Sequence, residues 1–193
     1  MTASRRGESP AIWRPFGPDW GWAFAEEMNG LSSRKFAAIV EGRRLKAPLP
    51  RVTYGGFTAG PLSDPLAEPG GLLVVSSRLQ EVLDREAKAH IQYIPVKLKG
   101  RSGRYSIANV LDSVDCLDRG ASRLIEDPDA GGITRVKKLV LTELPGASPE
   151  LFHVEGFEQL LIIRPRLRAA LERDFPSAGN FIPIARFKLG YLP

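Results

Sequence analysis

The sequence predicts an α+β domain that is predominantly β and contains two strand-helix-strand units. Two observations predict this class. Short alternating apolar segments are separated by turn residues, and two longer segments carry apolar residues at helical spacing between strand-like neighbours. An apolar content of 43% and a charged content of 25% over 193 residues are typical of a globular protein. Wholesale disorder, collagen and coiled-coil structure are therefore excluded.

Glycine and proline are concentrated in the first third of the chain. We therefore expect residues 1–10 to form a flexible tail and residues 11–193 to form a single globular domain. Within that domain, residues 11–71 are predicted to be a loop-rich segment that wraps a regular α+β core of residues 72–193.

Two stretches of the loop-rich segment carry more specific expectations. Residues 36–48 are predicted to form a short strand, a turn and a second short strand. Residues 52–71 contain too much glycine and proline for an interior helix or strand.

The first strand-helix-strand unit begins at Leu72. Its apolar run at residues 72–75 predicts a strand buried on both faces. Ser77, with Gln80 three residues later, is a capping-box pattern that begins a helix. The apolar stripe of that helix consists of Leu79, Val82, Leu83 and Ala87. Alternation over residues 91–98 predicts the second strand.

The same unit recurs 88 residues later. Residues 72–96 align without a gap on residues 160–184, and eight of the 25 positions are identical. Pro165 marks the start of the second helix, whose stripe consists of Leu167, Ala170, Leu171 and Phe175. An internal duplication and a convergent pattern of two similar units both explain the similarity.

Four further segments are predicted to contain strands, so that the chain has eight or nine strands and two helices. They lie between the two units, at residues 103–114, 122–126, 132–144 and 151–157.

No constellation of residues indicates an enzyme, a metal site or a cofactor site. The chain has one cysteine, Cys116, and two histidines that lack neighbouring ligands. Asp112, Asp115 and Asp118 are spaced by three, but a role in turns and salt bridges is favoured over metal binding. Flanking aspartates raise a thiol pKa and argue against a nucleophilic role for Cys116. Because free cysteines are among the most buried residue types, we expect Cys116 to be buried and structural. An enzyme that used Asp115, Cys116 and Asp118 would require an exposed Cys116.

The start of the chain reaches several prolines before an apolar signal region forms, and no uncharged stretch approaches the length of a membrane span. We therefore expect a cytoplasmic protein without a membrane partner.

Charge is segregated along the chain, although the net charge is only +5. A basic turn and an acidic segment together favour a protein partner, because complementary charge speeds encounter and sets specificity. The candidate partner-binding residues are Lys97, Lys99, Arg101, Arg104, Asp112, Asp127 and Asp129. The alternative is a nucleic-acid-binding module that uses the basic strands and the second helix, but it lacks interleaved aromatic residues.

The run from residue 104 to residue 122 resembles immunity-protein family eleven of bacterial polymorphic toxin systems. The positions that carry the resemblance are Asn109, Val110, Asp115, Cys116, Leu117, Asp118 and Ser122. The order of the two strand-helix-strand units around this motif is also similar, over about residues 36–189. The resemblance implies a non-enzymatic protein that binds and neutralises a cognate toxin. It brings no catalytic residues, and the motif positions are expected to be structural.

Overall fold

The computed structural model describes residues 9–14, 23–126, 133–144, 146–175 and 178–188. Three helices lie in these ranges, namely α1 (Ser33–Val40), α2 (Ser77–Glu86) and α3 (Pro165–Asp174), and a 3₁₀ turn spans Ile184–Arg186. The strands are, in chain order, β1 (Ala11–Arg14), β2 (Ala23–Asn29), β3 (Val52–Phe57), β4 (Leu62–Ala67), β5 (Val74–Ser76), β6 (Ile91–Leu98), β7 (Tyr105–Val110), β8 (Ser113–Val114), β9 (Arg123–Glu126), β10 (Ile133–Lys138), β11 (Leu151–Val154), β12 (Phe157–Ile163) and β13 (Asn180–Pro183).

Most strands belong to two mixed sheets. One sheet has six strands in the order β4-β2-β3-β6-β7-β5, and the other has five in the order β13-β1-β12-β11-β8. Strands β9 and β10 form a separate two-stranded ribbon. The predicted α+β, predominantly β class is confirmed. No helix within the described ranges is long and apolar enough to cross a membrane.

Both predicted strand-helix-strand units are present, and they share one topology. In β5-α2-β6, the two strands run antiparallel to β7, which lies between them. In β12-α3-β13, the two strands run antiparallel to β1, which lies between them. The central strand follows the first unit in sequence and precedes the second. The units are therefore circular permutations of one arrangement of three strands and a helix.

The pairing register preserves the 88-residue offset. In each unit, a residue from each outer strand lies opposite the same isoleucine of the central strand. These residues are Val74 and Ile94 around Ile107, and Ile162 and Ile182 around Ile12. Because a slip of one residue would reverse the faces of a strand, the shared register makes the two units structurally equivalent.

Helices α2 and α3 pack against each other in antiparallel orientation, and their contacts repeat the offset. Arg166 at the start of α3 donates from Nη2 to Oε2 of Glu86 at the end of α2, over 2.9 Å. Arg78 at the start of α2 donates to the main-chain oxygen of Asp174 at the end of α3, over 3.4 Å. The two arginines are 88 residues apart in sequence, and so are the two acidic residues that they contact. The two units therefore face each other across an approximate two-fold axis.

Alternation along the strands divides the core into three clusters. Val75 and Ile163 face α2 and α3, whose apolar stripes cover one side of both sheets. Val74 faces the opposite side of the six-stranded sheet, which α1 covers. Ile162 faces the opposite side of the five-stranded sheet, which the β9-β10 ribbon covers. The helix pair is thus the layer that the two sheets share.

The start of α2 differs by one residue from the predicted cap. Ser76, rather than Ser77, is the N-cap, and its Oγ accepts a hydrogen bond from the main-chain N–H of Leu79 over 3.2 Å. Asp64 holds this cap in turn, because its Oδ1 accepts from the main-chain N–H of Ser76 over 3.0 Å. Helix α3 begins at Pro165 as predicted, without a side-chain cap.

The strand-turn-strand prediction for residues 36–48 is wrong, because residues 33–40 form α1. Ser32 caps this helix and accepts from the main-chain N–H of Lys35 over 3.4 Å. Phe36, Ile39 and Val40 lie at helical spacing and pack on the six-stranded sheet. The side-chain cap and the apolar stripe together stabilise the helix, although the residues from 36 onward resemble a strand in sequence.

The glycine- and proline-rich stretch 52–71 also differs from expectation, since it contains β3 and β4. Pro65 is tolerated because β4 lies at the edge of its sheet. Gly56 adopts a left-handed φ of +60°, which suits glycine. Tyr54 and Leu66 are fully buried, so this stretch forms part of the core and does not merely wrap it.

A buried carboxylate holds the end of this stretch in place. Glu68 is only 3% exposed, and it accepts hydrogen bonds from the Tyr54 hydroxyl over 3.1 Å and from the main-chain N–H of Gly70 over 2.9 Å. The main-chain N–H of Leu72 donates to the other carboxylate oxygen. Burial raises the pKa of Glu68, and these donors act against that rise. The Glu68 side chain thus provides hydrogen-bond acceptors for the main-chain N–H groups of Gly70 and Leu72, which lie outside the helices and strands.

Three other expectations are refined. The strand predicted over residues 103–114 divides into β7 and β8, which belong to different sheets. The strand predicted over residues 132–144 ends at Lys138. Residues 1–8 of the predicted tail lie outside the described residues.

We expect Leu79→Ala and Leu167→Ala to lower the free energy of unfolding by similar amounts, about 2–5 kcal/mol each. Both side chains are fully buried at equivalent positions in the cluster that α2 and α3 share. Urea unfolding measures the effect, with the exposed Glu81→Ala on α2 as a control expected to stay within about 0.5 kcal/mol. A loss below about 1 kcal/mol in either leucine variant would contradict this packing.

Candidate functional site

The family-like motif begins at Asn109, which lies in β7 and is 1% exposed. Its Nδ2 donates to the main-chain oxygen of Arg43 over 3.0 Å and to Oε1 of Gln92, its partner across the sheet, over 3.3 Å. Gln92 exchanges two further hydrogen bonds with the backbone of Leu45, at 2.8 and 2.9 Å. The two amides therefore fasten the segment after α1 to the six-stranded sheet.

The end of the motif is fastened to the segment that follows β10. Ser122 Oγ accepts from the main-chain N–H of Val140 over 2.9 Å and donates to its oxygen over 3.1 Å. Asp118 Oδ1 accepts from the main-chain N–H of Ala121 over 2.8 Å, which closes the intervening turn. The contacts of Asp118 and Ser122 are thus internal to the fold.

Cys116 lies between these anchors and is 1% exposed in the cluster beneath the five-stranded sheet. Burial raises the pKa of its thiol to about 11, and the charge of Asp115 adds to that rise. A protonated, inaccessible thiol does not act as a nucleophile. The structure therefore lacks the exposed Cys116 that an enzyme using Asp115, Cys116 and Asp118 would require.

The three aspartates of the motif region have separate environments. Asp112 accepts from the main-chain N–H of His90 over 2.6 Å and also contacts its Nδ1, Asp115 is exposed, and Asp118 closes its own turn. In the part of the chain that the structure describes, no three His, Cys, Asp or Glu side chains are grouped to hold a metal ion.

The candidate partner-binding residues divide into engaged, unengaged and undescribed ones. Lys99 Nζ lies 3.8 Å from Glu27 Oε2, and the guanidinium of Arg101 lies 5.6 Å from the ring centroid of Phe57. Asp112 is held by His90. The side chains of Lys97 and Arg104 are exposed and form no ion pair with any described residue. Asp127 and Asp129 lie outside the described residues.

The basic helix that the nucleic-acid alternative requires is largely neutralised. In α3, three arginines form ion pairs with carboxylates on α2 or on α3 itself. The pairs are Arg166 with Glu86, Arg168 with Glu172, and Arg173 with Asp174. These charges do not form a continuous cationic face for a phosphate backbone.

A cleft of about 1000 Å³ lies between the segment that follows β10, the start of α3 and the 3₁₀ turn. Apolar residues form much of its lining, among them Leu139, Leu141, Leu144 and Ile184. Four cations and one acid also line it, and these are Lys138, Arg164, Arg168, Arg186 and Glu143. The sequence alone does not indicate this site, because its lining residues come from segments as far apart as Ser9 and Arg186.

The cations of this cleft differ in how they are held. Arg164 donates from Nη1 to the main-chain oxygen of Ser148 over 2.9 Å. Arg168 pairs with Glu172 and lies 5.5 Å from the ring centroid of Phe181. Lys138 and Arg186 are exposed and have no ion-pair or hydrogen-bond partner among the described side chains. The cleft thus combines two fixed and two unengaged positive charges.

Comparison with known proteins agrees with the resemblance seen in the motif. A family model described as "Immunity protein family (Imm11)" matches residues 26–184. The match includes both strand-helix-strand units and the whole motif, and it begins ten residues before the expected coverage. No curated protein sequence gives a significant match.

We expect iodoacetamide at pH 8 to modify Cys116 at least about 100-fold more slowly in the folded protein than in urea. The rise of the thiol pKa to about 11 alone lowers the thiolate fraction by about this factor. Mass spectrometry measures the rate, and a Ser102→Cys, Cys116→Ala protein provides an exposed thiol as a control. Fast alkylation of folded Cys116 would restore the enzyme hypothesis.

Asn109→Ala and Gln92→Ala are each expected to destabilise the fold by about 1–3 kcal/mol, because each leaves buried polar groups without a partner. The double variant should lose at least about 0.5 kcal/mol less than the sum of the single losses, since the two amides share a hydrogen bond. Urea unfolding gives all three values, with Lys97→Ala on the same strand as an exposed control. Strict additivity would show that the amides act independently.

Proposed function

Because the chain belongs to the immunity protein family (Imm11), we propose that it binds a cognate bacterial toxin of a polymorphic toxin system and neutralises it without chemistry of its own. The family assignment carries this proposal, since it covers most of the chain and implies a toxin partner in general.

Neutralisation by binding needs a rigid surface that covers the toxin's active site or locks it in an inactive form. A stable protein interface buries roughly 1,200–2,000 Å² in total, and complementary charge raises the rate of encounter. Two sheets that share one helical layer, with motif side chains used to fasten loops, support a rigid scaffold of this kind. The burial of Cys116 and the separation of the motif aspartates support binding over catalysis.

The proposed site of action is the cytoplasm, where an immunity protein meets a toxin that has entered the cell or has not yet left it. A lone thiol that is buried in the core is compatible with a reducing compartment. The nucleic-acid-binding alternative has less support, because the arginines of α3 are paired with carboxylates.

We expect this protein to restore growth of a bacterial host that expresses the toxin domain encoded by the neighbouring gene. The two purified proteins should also co-elute as one complex in size-exclusion chromatography. An unrelated toxin domain serves as the specificity control, and a catalytically inactive cognate toxin should still form the complex. Absence of both rescue and complex formation would refute the proposed function.

A further inference from the structure

We propose that the cleft beside α3 receives an acidic segment of a protein partner, which under the proposed function is the toxin. This inference rests on the proposed function for the identity of the partner. It rests on the cleft itself for the chemistry that the cleft recognises.

The shape of the cleft suits a chain segment. Its volume of about 1000 Å³ lies at the upper end of the range of small-ligand pockets. Its walls come from four segments, one of which is Ser9 and Pro10, and the other three are anchored. The segment after β10 is fastened through Ser122 and Val140, Arg164 is held by Ser148, and the 3₁₀ turn directly follows β13. A cleft with anchored walls binds without ordering its own residues first.

The charge of the cleft selects an acidic occupant. Four cations and one acid line it, so a neutral or basic segment would leave positive charges unmatched. Lys138 and Arg186, which have no ion-pair partner among the described residues, are free to pair with carboxylates. The N terminus of α3, which has no side-chain cap, adds to the positive potential. Leucine and isoleucine side chains on the lining provide apolar contacts between these charges.

Other occupants fit less well. No aromatic side chain lines the cleft among the described residues, so a single-stranded nucleic acid would lack stacking contacts. Residues 1–8 contain two arginines and one glutamate, so their side chains do not complement a basic cleft. The basic turn at Lys97, Lys99, Arg101 and Arg104 does not line this cleft. It does not line a smaller cavity of about 350 Å³ either.

The first experiment needs no toxin. Isotopically labelled protein is titrated with a synthetic peptide of alternating glutamate and leucine, and with a lysine-leucine peptide as control. The acidic peptide should give saturable shifts of the amide signals of Leu139, Thr142 and Ala185. These shifts should disappear in the Lys138→Glu, Arg186→Glu protein and persist in the matched Arg44→Glu, Lys46→Glu protein, whose changes lie at exposed positions away from the cleft. Thermal unfolding checks that both variants fold.

The second experiment uses the toxin domain from the neighbouring gene. The Lys138→Glu, Arg186→Glu variant should bind it at least about tenfold more weakly than the wild type, whereas the matched Arg44→Glu, Lys46→Glu variant, at exposed positions away from the cleft, should change its affinity much less. Unchanged toxin affinity in the cleft variant overturns the inference and leaves the proposed function intact. If the wild-type protein does not bind the toxin but binds the acidic peptide, the proposed function is refuted and the cleft chemistry is supported.

Two further outcomes would replace the occupant. An oligothymidylate that displaces the acidic peptide from the cleft signals would identify a nucleic-acid site. If removal of residues 1–8 shifts the same signals without peptide and strengthens peptide binding, residues 1–8 are the occupant. Each of these results overturns the inference.

Discussion

The packing of α2 against α3 over one face of both sheets is the contact on which the architecture depends. Each helix comes from one strand-helix-strand unit, and the apolar stripes of both helices belong to one buried cluster. The reciprocal contacts of Arg166 with Glu86 and of Arg78 with Asp174 add little energy at an exposed position, but they specify an antiparallel orientation. Once the helices are paired, the two sheets have fixed positions, and so have the loops that join them.

Local patterns predicted the elements whose residues pack against neighbours in sequence. The stripes around Leu79 and Leu167, the start at Pro165 and the 88-residue similarity all follow from spacing alone. Elements that depend on distant residues were not predictable. The strands in residues 52–71 form because β3 pairs with β2 and β6, and β4 pairs with β2. Residues 36–40 were predicted to be a strand because, taken alone, they resemble one. The cap that begins α1 lies before them, at Ser32.

The candidate sites show the same division. Composition and flanking charge predicted that Cys116 is a buried thiol, because those influences are local. The roles of Asn109 and Ser122 required the fold, since their partners lie at Arg43 and Val140, far away in sequence. The cleft required it even more, because Lys138 and Arg186 are unremarkable surface cations until β10, α3 and the 3₁₀ turn are brought together. Short motifs indicate a family, whereas binding surfaces are assembled from residues without any shared pattern.

The position of β1 has a consequence for the order in which the chain folds during synthesis. Among the described strands β1 is made first, yet its two neighbours, β12 and β13, are made last. The six-stranded sheet uses only strands that end by Val110, so its pairings are available while the remainder is still being translated. The five-stranded sheet, with Ser9 and Pro10 at the cleft beside it, closes only after β13 has been made. Contacts between such distant segments form slowly, so a newly made chain acquires its cleft last.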